Sequence, residues 1–194
     1  VRHVQSLLSD SFVIVNADIL CDIDLTKLIE AVPKDGASMA LRRSPEVKTY
    51  GVVGVDNVGV VSQLAHVAVA EPEGQVDEGT HFTGVHAMSQ HALSRVPVGF
   101  QCVVRTAYKE MVPTRVVRGV EHEGVWLDVG NPAAYLEANL AVLNGEGPTH
   151  LDVMSRAGWS RDHRGIERGD AALVEGVVTE GPVWVGVGAK VPAG

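Results

Sequence analysis

Two aspartates follow short apolar stretches of this sequence, in positions that suit the binding of a metal ion. Residues 12–15 are apolar and lead to Asp18, and residues 126–127 are apolar and lead to Asp128. Open α/β sheets bind ligands at the carboxyl ends of their strands. Mg²⁺ favours one or two carboxylates together with phosphate oxygens and water. If the two strand ends meet, the pair predicts a Mg²⁺ site for a phosphorylated ligand. Alternatively, each aspartate belongs to a turn or lies near a helix N-terminus.

The elements that must position these aspartates alternate between strand and helix, which predicts an α/β fold. The apolar run at residues 12–15 predicts a central parallel strand that is covered on both faces. Asp24 suits the N-cap of one helix, and Asn131 with Pro132 suits the start of another. The spacing of apolar residues along the second helix predicts one buried face, made of Ala133, Leu136, Leu140 and Leu143.

The other predicted elements come from short apolar runs bounded by Gly, Pro, Asn or Asp. They are a strand over 37–41, a hairpin over 50–61 that turns at Asp56 and Asn57, a strand over 82–88, a short helix over 89–95, a helix over 103–112, and strands over 115–120 and 124–127.

The tail from about residue 170 has a six-residue period. One series is Leu173, Thr179, Val185 and Val191, and a second is Val177, Val183 and Ala189. Such a period predicts coils of a parallel β-helix, and the alternative is a hairpin rich in Val and Gly. The predicted organisation is a catalytic domain over 1–147, a linker over 148–169 and the start of a hexapeptide β-helix over 170–194. Because the chain starts without Met and the repeat runs to Gly194, we expect it to be part of a longer protein.

The composition excludes several classes of function. The 194 residues are 45% hydrophobic and carry a formal net charge of -8, which argues against binding to a nucleic-acid polymer, since that needs a basic surface. No apolar run approaches the ~18 residues of a membrane span. Two cysteines are too few for a disulfide framework and fit a reducing compartment, which predicts a cytoplasmic protein.

Four segments, residues 12–20, 50–53, 82–85 and 126–139, stand in an order that resembles the sugar-1-phosphate nucleotidyltransferases, or NDP-sugar pyrophosphorylases. The resemblance implies a Rossmann-like nucleotidyltransferase mixed sheet with helices on both faces. In members similar to mannose-1-phosphate guanylyltransferase, a left-handed parallel β-helix follows. The implied reaction transfers a nucleotidyl group from an NTP to a sugar 1-phosphate, giving an NDP-sugar and pyrophosphate, with GDP-mannose-type chemistry favoured by the tail.

The resemblance implies roles for the two aspartates. Asp18 matches the family's aspartate after an early strand, and Asp128 matches the aspartate of its Trp-Leu-Asp-x-Gly motif. Both are implied catalytic residues that bind Mg²⁺, the expected cofactor.

Five further residues are implied to bind the substrate. Gly51, after Tyr50, matches a glycine whose backbone lies against the sugar, and Thr83 with Gly84 matches the segment beside the sugar ring. Asn16 belongs to the Asp18 motif and is included with them. Glycine is physically sensible here, because a side chain would block close approach of the backbone to a ligand.

Two departures from the family pattern affect the expected activity. The family's glycine-rich segment of the Gly-x-Gly-Thr-Arg type does not occur, and residues 63–67 replace an acidic-Lys-Pro segment, with no lysine between Lys48 and Lys109. We therefore expect these 194 residues to be inactive or very weak alone. The alternative is a regulatory relative that binds sugar nucleotides without catalysis. The expected partners are an NTP and a sugar 1-phosphate. β-helix tails often mediate assembly into homo-oligomers, and the sequence leaves the oligomeric state open.

Overall fold

A computed structural model describes residues 1–45, 47–148, 160–161, 166–168, 172–173, 177–178, 183–185 and 188–192. The chain forms two compact units. The first contains Val1–Ile19 and Ile23–Gly124, and the second contains Leu20–Asp22 and Val125–Gly194. Within the described ranges, no helix combines the length and the apolarity that crossing a membrane requires.

The first unit is built around a mixed β-sheet. Its strands are β1 (Ser11–Val15), β3 (Ala37–Arg43), β4 (Val52–Val55), β5 (Val61–Leu64), β6 (Ala68–Val69), β7 (Asp77–Ser89) and β8 (Val117–Glu121), while β2 (Ile19–Cys21) pairs elsewhere. The strand order is β6-β5-β4-β7-β3-β8, and β1 pairs with β7. β3 and β8 are parallel, and the other neighbours are antiparallel.

Short helical segments flank this sheet. They are a 3-10 helix (Arg2–Leu7), α1 (Leu25–Glu30), α2 (Val47–Tyr50), a second 3-10 helix (Ala92–Arg95), a π-helix (Val104–Tyr108) and α3 (Lys109–Met111). The predicted cap of α1 is confirmed, because the Asp24 carboxylate accepts hydrogen bonds from the backbone N–H groups of Thr26 (3.0 Å) and Lys27 (3.1 Å).

The sheet curls until its two ends meet. Val60, just before β5, forms an antiparallel bridge with Arg118 of β8. Next to it, the N–H of Gly119 donates to the carbonyl of Gly59 at 3.1 Å. β5, β4, β7, β3 and β8 therefore close a ring of strands. The core packs one face of this sheet against the π-helix and α3, with Met39, Met88, Tyr108, Met111 and Val117 fully buried.

β7 is the central element, because its 13 residues pair with three strands. On one edge it pairs with β3. On the other edge, β4 pairs with β7 as far as His81 and β1 pairs with it from Val85 onward. Between those two strands, residues 82–84 of β7 form an opening in the ladder, which we call the β7 notch.

Two predictions about strands have different outcomes. The hairpin is confirmed, with β4 and β5 joined across a turn at Asp56, whose N–H donates to the carbonyl of Val60 at 2.9 Å. The prediction of a parallel strand covered on both faces at residues 12–15 is wrong, since β1 pairs antiparallel with β7 and Val15 is 48% exposed. An apolar run indicates burial but does not determine the direction of the neighbouring strand.

The second unit contains β9 (Trp126–Asp128), paired with β2, and α4 (Pro132–Leu143). Asn131 caps α4, because its side chain accepts a hydrogen bond from the N–H of Ala134 at 3.0 Å. The predicted buried face is wrong: Leu136 is 59% exposed, and Ala138 is the buried residue. The remaining strands are β10 (Ser160–Arg161), β11 (Ile166–Arg168), β12 (Ala172–Leu173), β13 (Val183–Val185) and β14 (Lys190–Val191).

Candidate functional site

Asn16 and Gly84 lie against each other at one end of the β7 notch. The N–H of Asn16 donates to the carbonyl of Gly84 at 3.0 Å. Gly84 has a φ of +81°, which L side chains rarely adopt. A Cβ on residue 84 would lie 2.8 Å from Nδ2 of Asn16 and 3.2 Å from Cγ1 of Ile19. The glycine therefore makes room for the Asn16 side chain.

Asp18 follows Asn16 in the turn between β1 and β2. The turn is closed by the N–H of Ile19, which donates to the carbonyl of Asn16 at 3.3 Å. The side chain of Asp18 is exposed, and it forms no hydrogen bond or ion pair with the part of the chain that the structure describes. Its carboxylate is therefore available to an external cation or ligand.

Tyr50 and Gly51 lie at the other end of the notch. Gly51 has a φ of +94°, and its N–H donates to the carbonyl of Val47 at 2.9 Å, which turns the chain out of α2 into β4. The ring of Tyr50 stacks on that of His81, with 4.6 Å between centroids and 23° between planes. Tyr50 remains 45% exposed, so one face or edge of the ring can meet a ligand.

Thr83 is buried and bonds to the backbone, so its side chain is not exposed to a ligand. Its side chain is buried, and its hydroxyl donates to the carbonyl of Ala40 at 2.8 Å and accepts from the N–H of Val85 at 3.3 Å. The register between β3 and β7 shifts at this place, between Met39 and Leu41. Thr83 thus fixes the path of β7 beside Gly84 through hydrogen bonds to the backbone.

The structure brings these residues to one stretch of one strand. Tyr50 contacts β7 at His81, and Asn16 contacts it at Gly84. Three residues of extended strand span about 10 Å. The notch is therefore long enough for one sugar ring with its phosphate. Gly51 leaves part of its backbone exposed there, whereas Gly84 is buried against the Asn16 side chain.

Asp128 lies in the second unit, at the end of β9. One of its carboxylate oxygens accepts a hydrogen bond from the N–H of Gly130 at 3.0 Å, and the residue is exposed. This bond forms the turn that leads to the Asn131 cap of α4. Asp18 belongs to the first unit, so the meeting of the two aspartates stays a prediction.

The donor set of these aspartates fits Mg²⁺. Asp18 offers both carboxylate oxygens and Asp128 offers one that the Gly130 turn does not use. Mg²⁺ takes one or two carboxylates and completes its shell with phosphate oxygens and water. Among the described residues, no group of three or more His, Cys, Asp or Glu side chains is arranged to hold a metal ion.

Sequence reasoning missed a buried polar pair behind the site. Nδ1 of His86 lies 2.7 Å from the hydroxyl of Tyr108, and both side chains are buried. Burial lowers the pKa of His86 to about 4 and raises that of Tyr108. The pair ties the π-helix to β7, so it supports the strand that carries the notch.

A separate cleft of about 490 Å³ lies beside β4, β7 and β8. Its charged lining residues are acidic: Asp56, Asp77, Glu78 and Glu121. Arg43, which bonds Asp77 and Glu121, and Arg115, which bonds Asp56, neutralise only part of that charge. An acidic lining repels phosphate groups, so this cleft is a poor candidate for a phosphorylated ligand.

Comparison with known proteins identifies the family. The family model described as nucleotidyl transferase matches residues 1–145, and the chain belongs to this family. It is similar to the mannose-1-phosphate guanylyltransferase catalytic subunit beta of Drosophila melanogaster, with 22% identity over 137 residues, covering 70% of this chain and 36% of that protein. It is also similar to the mannose-1-phosphate guanylyltransferase of Mycobacterium tuberculosis, with 22% identity over 198 residues, covering 97% and 51%.

A solved structure supports the fold. HddC from Yersinia pseudotuberculosis superposes with a TM-score of 0.54 at 18% identity, over 71% of this chain and 58% of that one. The same protein has also been solved in complex with GMP-PN, with a TM-score of 0.53. The expected mixed-sheet nucleotidyltransferase fold is confirmed for the first unit. The chain spans between about a third and a half of the curated relatives described here.

Proposed function

We propose that this chain provides the sugar-phosphate side of a sugar-1-phosphate nucleotidyltransferase, which joins an NTP and a sugar 1-phosphate into an NDP-sugar and releases pyrophosphate. The observation that carries the proposal is the β7 notch, where Tyr50 contacts His81 and Asn16 contacts Gly84. The chain that carries this notch belongs to the nucleotidyl transferase family. GDP-mannose-type chemistry is favoured by the two relatives named for mannose-1-phosphate guanylyl transfer.

The chemistry asks the protein mainly to position its reactants. An oxygen of the sugar phosphate attacks the α-phosphorus of the NTP, the new P–O bond forms, and pyrophosphate leaves with the electrons of the broken bond. In-line attack is accelerated when the protein holds the attacking oxygen close to the α-phosphorus and opposite the bond that breaks. In this proposal the backbone at Gly51 lies against the sugar, and Asn16 and Tyr50 border it. Thr83 and Gly84 belong to the strand segment beside the ring, where Gly84 leaves room for Asn16.

The two aspartates would hold the metal ion. A Mg²⁺ bound by Asp18 and Asp128 would neutralise charge on the phosphates. Both side chains are exposed at turns, so each carboxylate can reach a phosphorylated ligand without a cost for burying it. The Gly130 N–H orients the carboxylate of Asp128.

We further propose that the tail begins a left-handed parallel β-helix. β12 pairs in parallel with β14, with Ala172 opposite Lys190 and Leu173 opposite Val191. That separation of 18 residues equals three periods of six, as expected if one coil stacks on the next. The predicted linker over 148–169 includes β10 and β11, and β11 pairs in parallel with β13. The domain boundaries stay a prediction, and Thr179 of the repeat lies outside the described residues.

Calorimetric titration of residues 1–194 with GDP-mannose tests the function. Titrations with and without Mg²⁺ are compared among the wild type, Asp18→Asn, Asp128→Asn and a control, Glu30→Gln, which removes another exposed carboxylate. We expect Mg²⁺-dependent binding that falls at least tenfold in both aspartate variants and stays unchanged in the control. A folded chain that binds no sugar nucleotide, or equal Mg²⁺ dependence in all variants, would overturn the proposal.

Turnover is measured beside binding, as pyrophosphate release from GTP and mannose 1-phosphate. We expect it to be very low for these 194 residues, because the sequence holds no Gly-x-Gly-Thr-Arg segment to cradle the triphosphate. Titrations with UDP- and dTDP-sugars then test whether the guanine base and the mannose ring are preferred.

A further inference from the structure

A shallow depression of about 300 Å³ lies between the β5–β6 turn and the helical segment made of the π-helix (Val104–Tyr108) and α3 (Lys109–Met111). It is lined by His66, Val67, Arg105 and Lys109. The three polar residues are all exposed. We call this surface the basic depression.

The charges of the basic depression are not explained by ion pairing. The chain as a whole carries a net charge of -8, yet no carboxylate lines this surface. Within the described residues, the side chains of Arg105 and Lys109 form no ion pair. Arg105 and Lys109 line the same depression, so their like charges repel each other. The arrangement therefore does not serve helix stability, and it suits an anion that binds between the side chains.

The backbone that carries Arg105 has an unusual form. It belongs to the π-helix Val104–Tyr108, in which the N–H of Tyr108 donates to the carbonyl of Val103 at 3.1 Å. Short π-helical turns are rare and are frequent at functional sites. The hydroxyl of Tyr108, 2.7 Å from Nδ1 of His86, ties this turn to β7. Arg105 and Lys109 thus project from a segment whose buried side is fixed.

The basic depression borders the β7 notch through Ala65. The N–H of Ala65 donates to the carbonyl of Val52 at 2.6 Å. A Cβ on Gly51 would lie 3.3 Å from Cβ of Ala65, and His66 is the next residue. A ligand whose sugar lies on Gly51 would therefore bring a charged substituent close to His66, Arg105 and Lys109.

We propose that His66, Arg105 and Lys109 bind the phosphate of the sugar 1-phosphate, an inference that rests on the proposed function. The guanidinium of Arg105 matches two phosphate oxygens, and the ammonium of Lys109 acts as a point charge. The imidazole of His66 supplies a further N–H. These residues position the phosphate for attack on the NTP and take no part in bond making.

The experiment titrates the 194-residue chain separately with mannose 1-phosphate, inorganic phosphate and GTP. The test variant is Arg105→Gln with Lys109→Gln. The matched control, Lys27→Gln with Lys34→Gln, removes the same charge from two other exposed positions. A charge-keeping variant, Arg105→Lys with Lys109→Arg, is added, and thermal unfolding of every variant verifies that it is folded.

We expect the test variant to bind mannose 1-phosphate at least tenfold more weakly and the control to stay within about threefold of wild type. The charge-keeping variant should recover part of the lost affinity, because it keeps both charges but moves the guanidinium from position 105 to position 109. The affinity for GTP should change less than twofold. Equal loss in the control pair, or a loss confined to GTP, would overturn the assignment of this surface to the sugar phosphate.

The outcomes also separate this inference from the proposed function. If mannose 1-phosphate binds the wild type and the test variant equally, the basic depression is excluded and the proposed function stands. If inorganic phosphate alone binds, and the test variant loses that binding, the surface is an anion site and the sugar-phosphate assignment fails. If the folded wild type binds none of the three ligands, both proposals fail.

Discussion

Nδ2 of Asn16 would lie 2.8 Å from a Cβ atom placed on Gly84, whose φ is +81°. Gly84→Ala therefore combines a strained backbone with displacement of the exposed Asn16 side chain. We expect it to lower the free energy of unfolding by about 2–4 kcal/mol and to weaken binding of GDP-mannose at least tenfold. Urea denaturation and calorimetry measure the two effects.

Gly145 offers a matched control for this prediction. It has the same φ of +81°, and nothing lies within 4 Å of a Cβ placed on it. Gly145→Ala should therefore lower the free energy of unfolding only through backbone strain, by about 1–2 kcal/mol. Ligand binding should stay unchanged. Equal destabilisation by the two substitutions would show that the contact with Asn16 is of no consequence.

The stacking of Tyr50 on His81 gives a second prediction. Tyr50→Phe keeps a ring over His81, and Tyr50→Ala removes it. The stack holds the ring in place, and in the proposed function the ring borders the substrate. We therefore expect Tyr50→Ala to weaken mannose 1-phosphate binding and Tyr50→Phe to change it less than twofold. If Tyr50→Ala binds like wild type, the ring does not border the substrate.

His86 should make stability depend on pH. Burial lowers its pKa to about 4, below the value of about 6.5 in an unfolded chain. As the pH falls from 6.5 to 4, the unfolded state takes up the proton first, so the free energy of unfolding decreases, by about 3 kcal/mol in total. Above pH 6.5 this contribution is fully present.

Denaturant titrations at several pH values test the role of His86 by comparing the wild type with His86→Gln. In the variant, the free energy of unfolding should change much less between pH 6.5 and 4 than it does in the wild type. Burial also lowers the pKa of His81, but His81 is present in both proteins and cancels in the comparison. An identical slope in the two proteins would contradict the prediction.

The ion pair of Arg115 with Asp56 gives a fourth prediction. Burial alone would raise the pKa of Asp56, but hydrogen bonds from the N–H groups of Glu73 and Val60 and from Arg115 outweigh it and hold the pKa at about 2. Arg115→Met leaves this buried carboxylate without its cation at 2.8 Å. We expect Arg115→Met to lower the free energy of unfolding by about 1–3 kcal/mol at pH 7, which urea denaturation measures.

Arg43→Met is the control for Arg115→Met. Arg43 also contacts two carboxylates, those of Asp77 and Glu121, but all three side chains are about half exposed. Water screens such pairs, so Arg43→Met should destabilise the protein much less. A loss as large as that of Arg115→Met would mean that burial does not decide the strength of these pairs.

Local chemistry in the sequence was sufficient for the helix caps and the hairpin. Asp24, Asn131 and Asp56 each satisfy backbone N–H groups within four residues, and such bonds depend only on nearby residue types. The arrangement around β7 could not be predicted in this way. Its partners come from residues 11–15, 37–43 and 52–55, and no local pattern states which strands will meet.

The candidate site shows the same division. Gly51 and Gly84 could be selected from the sequence, and both have positive φ. That Thr83 turns its hydroxyl to the backbone of β3 depends on a register shift, which apolar periodicity does not indicate. Arg105 and Lys109 were not selected, because their pairing with His66 joins segments about 40 residues apart and the π-helical turn has no sequence signature.

The bridge between Val60 and Arg118 also affects how molecules of this protein meet one another. An open sheet ends in strands with unpaired N–H and C=O groups, which offer a template for edge-to-edge aggregation. Here Val60 and Arg118 pair with each other, and Nη1 of Arg118 donates to the carbonyl of Val58 at 2.7 Å. The curled sheet thus covers with its own chain an edge that would otherwise invite a neighbouring molecule to add a strand.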